Sequence, residues 1–274
     1  MSYEKNCTET RKKASQLSQT TSDLKVNSFD AFEHFNVEAT SGLLLVCEHA
    51  SNYIPSEFDN LGLPRKTRQS HIAWDIGAAE FADKLATVLN AGLLKSSVSR
   101  LVYDCNRPPE ADDAIPEKSE VFEIPGNQNL SASDREHRAA KVYHPFREYL
   151  SGLAKTAKAL ITIHSFTPIY NGHTRTVEIG VLHDSDTRLA DKILEHSALV
   201  IDMDVRRNEP YAPSDGVTHT LKVHGLANGI PNVMLEIRND ILSNANLTNE
   251  LHEQLALVIN SSLAELEQNQ CEVQ

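Results

Sequence analysis

The run Leu43-Leu44-Leu45-Val46-Cys47 constrains the fold more than any other stretch of the chain. Five apolar residues in succession are too few for a helix, and a strand apolar at every position is buried on both faces. Such strands belong to sheets that carry helices on both sides. Two further runs share this character, Ala159-Leu160-Ile161-Thr162-Ile163 and Asn232-Val233-Met234-Leu235. Each run leads into titratable residues: Glu48-His49 after the first, His164 after the second, Glu236 after the third. Ligands of open α/β sheets sit beyond the carboxyl ends of strands, so these ends mark the edge where chemistry is expected.

Amphipathic helical patterns separate the runs. Ile76, Ala79, Leu85, Val88 and Leu89 have helical spacing over residues 75–90, and Leu251, Leu255, Val258, Ile259, Leu263 and Leu266 form one face of a closing helix from about Thr248. Ser133-Asp134-Arg135-Glu136 has the form of a capping box and predicts a helix to about Lys158, bent at Pro145. Residues 176–183 alternate like a further strand, with a helix marked by Leu189, Ile193 and Leu194 after it. Residues 108–131 lack periodicity, a length of loop that implies function or disorder. Strands alternating with helices predict an α/β three-layer sandwich with a mixed, mostly parallel sheet. We expect one domain over residues 41–270, preceded by a polar arm over residues 1–40.

Charge limits the partners. The 274 residues hold 26 Lys and Arg against 38 Asp and Glu, a net charge of -12. That balance argues against nucleic acid or an anionic membrane, and an anionic substrate must be held by a few local arginines. Cys7, Cys47, Cys105 and Cys271 lie far apart with no CxxC pair, which predicts free thiols and a reducing, cytoplasmic setting. The amino-terminal residues show no apolar signal segment, and no run has the length of a membrane span. GxGxxG, GxxxxGK and GxSxG are missing, so dinucleotide, P-loop and serine-hydrolase readings lack support.

If the strand ends converge, the site holds two imidazoles, several carboxylates and at least two arginines. The segment 99–109 adds Arg100, Asp104, Asn106 and Arg107. This is the inventory of a metallohydrolase. Catalytic zinc takes three His or carboxylate donors, and a separate carboxylate works as general base. Adjacent strand positions point to opposite faces, so Glu48 and His49 enter one site together only if the backbone turns between them.

Six segments, in order, carry a resemblance: Cys47-Glu48-His49-Ala50-Ser51-Asn52, His71-Ile72-Ala73-Trp74-Asp75-Ile76-Gly77-Ala78, Ser99-Arg100 with Asp104-Cys105-Asn106-Arg107-Pro108-Pro109, His164-Ser165-Phe166-Thr167-Pro168, Asn208-Glu209-Pro210-Tyr211 and Glu236-Ile237-Arg238. Over residues 43–242 the chain resembles the N-formylglutamate amidohydrolase family, which is related to zinc carboxypeptidases and aspartoacylases. The resemblance implies an enzyme that hydrolyses an N-formyl or other N-acyl amino acid with one zinc ion per chain. It implies His49 and His164 as metal ligands, Glu236 as base, Arg100 as the group polarising the carbonyl, and Asn106 and Arg107 as substrate-holding residues. Arg238, Arg175 and Tyr211 are further substrate contacts on this reading.

One departure from the related HxxE motif is Asn52, which stands where a ligating glutamate would be. The third ligand is then Asp75, with Glu48 as the alternative. Asp75 reads equally as a helix cap. Arg107 could pair with a loop acid, and Glu236 with Arg238, which shares its strand face. His71 is expected beside the site rather than in it, His219 and His224 are open candidates, and His137, His144, His196 and His252 are expected on helix surfaces. A non-catalytic relative that binds an acidic amino-acid derivative, and amidase chemistry through Cys47 or Cys105, are the competing readings. The oligomeric state stays open.

Overall fold

The computed structural model describes residues 29–39 and 41–272, so most of the expected polar arm lies outside the described residues. Seven strands form the main sheet: β1 (Phe32–Phe35), β2 (Leu43–Cys47), β3 (Gly92–Ser96), β4 (Ala159–Phe166), β5 (Ile179–Leu182), β6 (Val205–Arg207) and β7 (Asn232–Arg238). Their spatial order is β1-β3-β2-β4-β7-β5-β6. The central four, β3, β2, β4 and β7, run parallel. β1 pairs antiparallel with β3, and β5 and β6 are parallel to each other but antiparallel to β7. The sheet is therefore mixed and mostly parallel, as the apolar runs predict.

Helices cover both faces. On one side lie α1 (Ala78–Leu89), α3 (Arg188–Val200) and α4 (Ala245–Glu272), which bury Phe81, Leu85, Leu189, Ile193, Leu251, Leu255 and Ile259 against Leu45, Leu93, Ile161, Ile163 and Leu235. On the other side lies the continuous helix over residues 132–154, whose last part is α2 (His144–Ala154), together with the short helical turn Leu221–Gly225. Among the described residues no helix is long and apolar enough to cross a membrane.

Several boundaries differ from the sequence expectations. The capping box is formed by Ser131 and Asp134, not by Ser133 and Glu136: Ser131 Oγ accepts from Asp134 N–H and Asp134 Oδ2 accepts from Ser131 N–H. The predicted bend at Pro145 appears as a widened turn over Ala139–Tyr143, which ends just before the proline. A proline cannot donate to the carbonyl a turn behind it, and a wider turn relieves that break. β1 lies inside the stretch expected to be an arm. Three of its four residues are exposed, and an edge strand of that kind is held by hydrogen bonds to its neighbour rather than by apolar patterning. β6, at three residues, is too short to show a period.

The connection leaving β2 leads to β3 on one side, and the connection leaving β4 leads toward β5 on the other. A crevice opens at the carboxyl ends of two such neighbouring strands, where the order reverses. β2 and β4 deliver His49 and His164 to that crevice.

Candidate metal centre and active-site pocket

His49 follows β2 in a turn, so the backbone bends between Glu48 and His49 and both side chains reach the same polar cluster. The next turn supplies Asp75, tied back by a 2.9 Å hydrogen bond from its N–H to the carbonyl of His49. Gly77, two residues on, has φ 84° and caps α1 in the left-handed conformation that glycine adopts without strain. A Cβ there would lie 2.8 Å from Leu242 Cβ. The helix start is thus capped by Gly77 and not by the Asp75 side chain, which turns toward the strand ends instead.

His49 Nδ1, His164 Nδ1 and Asp75 Oδ2 converge. The separations are 3.2 Å between the two nitrogens, 3.3 Å from His49 to Asp75 and 2.8 Å from His164 to Asp75. Three donors each about 2.0 Å from a tetrahedral ion would stand about 3.3 Å apart. The far nitrogens have carboxylate partners of their own. His49 Nε2 lies 2.7 Å from Asp104 Oδ1, and His164 Nε2 lies 3.1 Å from Glu48 Oε2, off the line of a good hydrogen bond. Carboxylates only accept, so each Nε2 carries the hydrogen and each Nδ1 offers a lone pair inward. Burial opposes charge on His164, but Glu48 and Asp75 outweigh it and hold its pKa well above the ordinary range. The donor set fits one divalent ion, and Glu48 lies behind His164, outside the three converging donors.

Arg100 closes the cluster. Its Nη2 donates to Asp104 Oδ2 at 2.7 Å and its Nη1 lies 3.5 Å from Asp75 Oδ1. Burial works against the charge of all three carboxylates. His49 and Arg100 nevertheless hold Asp104 well below the usual carboxylate range, His49 and His164 do the same for Asp75, and His164 lowers Glu48.

Glu236 differs from these acids. It pairs in register with His164 across β4 and β7, is 5% exposed, and its Oε2 has no hydrogen-bond partner. Burial is the main cause that pushes its pKa up to about 7, Asp75 adds to it, and His164, His49 and Arg100 pull the other way. The pairing with Arg238 is not formed. Arg238 instead donates to Asp240 at 2.8 Å and meets Glu178 at 3.3 Å, outside the pocket lining.

These groups share a cavity of about 340 Å³, which also exposes Arg107, Tyr170, Tyr211 and His71. Arg107 lies in it with Nε donating to Asp113 at 2.6 Å. Asn106 is occupied by the fold: its side chain donates to Val217 O at 2.7 Å and accepts from Thr220 N–H at 2.9 Å. Its role here is to hold the segment 217–220 against the strand ends. His71 meets Glu120, the tip of the small hairpin Lys118–Ser119/Phe122–Glu123, at 2.7 Å. The loop over residues 108–131 therefore folds over the pocket mouth.

Other side chains lie elsewhere. His219 bonds Tyr143 Oη at 2.8 Å and His224 lies 3.4 Å from Ser151 Oγ, and neither lines the pocket. His252, expected at the surface, is buried against Phe81 with ring centroids 4.0 Å apart. Cys47 and Cys105 are both buried, and burial, helped by Asp75 and Asp104 respectively, raises each thiol well above its ordinary pKa. Thiolate chemistry has no support in such surroundings.

Sequence reasoning missed one structural residue that no periodicity marks. Gly180 lies opposite Glu236 across β5 and β7, and a Cβ there would stand 2.0 Å from the carbonyl oxygen of Glu209. The bare backbone lets segment 208–211 cross close to the sheet and carry Tyr211 over the pocket.

Comparison with known proteins adds an independent line. The profile of the N-formylglutamate amidohydrolase family matches residues 41–243. The crystal structure of the gene product Atu2144 from Agrobacterium tumefaciens is 44% identical, with 87% of this chain and 97% of that chain covered and a TM-score of 0.84. N-formylglutamate amidohydrolase from Ralstonia eutropha JMP134 shares the fold at 16% identity, with 88% and 100% coverage and a TM-score of 0.61. No curated protein sequence matches the chain.

Proposed function

The chain belongs to the N-formylglutamate amidohydrolase family, and on that premise we propose that it hydrolyses the amide of an N-acyl amino acid such as N-formylglutamate, releasing formate and the free amino acid. His49 and His164 through Nδ1, and Asp75 through Oδ2, would hold the metal. A divalent ion such as zinc bound there supplies Lewis acidity, polarising an amide carbonyl and making water acidic enough to attack near neutral pH.

The chain's own residues do the rest. Glu236 accepts a proton from the attacking water as its oxygen bonds to the acyl carbon. The same proton passes to the leaving nitrogen when the C–N bond breaks, since an amine leaves far more readily than its anion. A carboxylate with a pKa near 7 suits both transfers, being neither too weak a base nor too weak an acid. Arg100, pinned by two carboxylates at the pocket wall, presents positive charge to the oxyanion that develops on the carbonyl oxygen. Asp104 and Glu48 orient the two imidazoles.

The observation that carries this reading is the convergence of three ligand atoms beside an unpartnered, buried Glu236 in one cavity. The test is hydrolysis of a panel of N-formyl and N-acetyl amino acids with and without a chelator, alongside elemental analysis. We expect formate release from N-formyl-L-glutamate that stops on chelation and returns with zinc. A protein that binds the metal but cleaves none of the panel would leave it as a binding relative.

A further inference from the structure

We propose that Arg175 is the anchor for a carboxylate of the substrate, which it grips in an outer recess opening beside the His–Asp cluster. This rests on the hydrolase reading above and names the group that selects an acidic substrate.

Arginines around the pocket differ in what they already hold. Arg100 pairs with Asp104 and Asp75, Arg107 with Asp113, and Arg238 with Asp240 and Glu178. Among the described residues Arg175 pairs with no carboxylate. Its guanidinium carbon instead lies 4.4 Å from the ring centre of Tyr170, 5.0 Å from that of Tyr211 and 5.5 Å from that of Phe166. Nη1 donates to Tyr211 Oη at 3.2 Å and to Thr167 O at 3.4 Å. Among the described residues Nε and Nη2 donate to no protein acceptor, and together they make the edge of the fork that matches a carboxylate with two parallel hydrogen bonds. The aromatic walls fix the plane of the fork before any ligand arrives.

The recess in front of Arg175 holds about 700 Å³ and adjoins the pocket of the His–Asp cluster, sharing Arg107, Tyr170, Tyr211 and Val217 with it. Two acids border the recess, but both are engaged. Glu209 meets Arg206 at 3.3 Å, and Asp215 accepts from Ala212 N–H at 2.8 Å. The hydroxyl of Tyr211 lies within the field of Glu236, Arg100 and Arg175, which connects the anchor to the reacting centre. In a chain of net charge -12, an unpaired guanidinium at the pocket is the feature that attracts an anion where the bulk of the surface repels it.

The test is calorimetric binding of glutarate, a bare dicarboxylate, to the full chain and its variants, with uncharged glutaramide as control. Wild type is expected to bind glutarate and not glutaramide. Arg175→Gln should weaken glutarate binding at least about tenfold, the scale of a charge-assisted contact, whereas Arg107→Gln should weaken it by less than about threefold. KM for N-formyl-L-glutamate should rise in parallel in Arg175→Gln. If Arg175→Gln fails to fold, Arg175→Lys carries the test, because an ammonium keeps the charge but not the planar fork, and it should still lose several-fold. Unchanged affinity in the Arg175 variants, or no glutarate binding by wild type, overturns the proposal. Glutarate binding that depends on Arg175 in a protein that cleaves no N-acyl amino acid would retain the anchor and remove the hydrolase reading.

Discussion

Asp104 holds His49 from behind: its Oδ1 lies 2.7 Å from His49 Nε2, while its other oxygen accepts from Arg100 at the same distance. One carboxylate thus sets the tautomer of the proposed ligand His49 and the position of the cation on the pocket wall. Asp104→Asn should lower zinc affinity by about 10- to 100-fold, the scale of an outer-shell partner, with the fold retained. Competition with a chromophoric chelator measures this. Wild-type affinity in the variant would mean that His49 needs no such partner.

Asp75 is the residue whose role the sequence left between cap and ligand. With Gly77 capping α1, Asp75→Asn should reduce zinc from about one per chain to a small fraction while leaving the helix start intact. Elemental analysis and circular dichroism together separate the outcomes. Full zinc content with reduced helix stability would return Asp75 to capping.

Glu236→Gln keeps shape but cannot accept a proton, and kcat should fall by at least about a hundredfold while zinc content persists. Wild-type activity should rise as pH increases through the Glu236 pKa, and this limb should vanish in the variant. Stability moves in the opposite sense. Glu236 binds its proton more tightly in the folded chain, so its contribution is complete below about 4.5 and is lost as pH rises through about 7. In chelated protein, Glu236→Gln should therefore gain on wild type toward alkaline pH, by roughly 3 kcal/mol at most. Urea melts across that range read the difference, and parallel curves would refute it.

Gly180→Ala places a methyl group where the Glu209 carbonyl now sits. The expected result is a loss of about 1 to 3 kcal/mol from overpacking and a raised KM, as Tyr211 is pushed from the pocket. Zinc content should be unchanged, because none of the proposed ligands His49, Asp75 and His164 lies on β5. A variant with normal KM and a normal melting temperature would show that the segment yields freely.

Much of this was legible because burial and chemistry coincide in the three apolar runs. A strand that must be covered on both faces places its end residues at a sheet edge, and His49, His164 and Glu236 follow from that alone. What the residues around them contact was harder to read. Asn106, in the loop after β3, and Arg238, at the end of β7, carry polar side chains of the kind a site uses, yet hydrogen bonds with Thr220, Val217, Asp240 and Glu178 occupy them. All but Asp240, which follows Arg238 by two residues, lie tens of residues away, beyond any local pattern. β1 and His252 failed for converse reasons: an exposed edge strand has no apolar period, and a helical histidine can be buried by a neighbouring ring.

The cluster also acts as a charge counter. Glu48, Asp75 and Asp104 are held ionised and Arg100 offsets one of them, so three negative charges and one positive leave a sum of two negative around two imidazoles. With the imidazoles neutral, a doubly charged ion would offset these two charges and leave an ionised Glu236 as the one further carboxylate, the form in which it can take a proton from water. A monovalent ion would leave one more carboxylate uncompensated. The charges around the proposed ligands His49, Asp75 and His164 therefore favour a divalent ion over a monovalent one before bond lengths come into play.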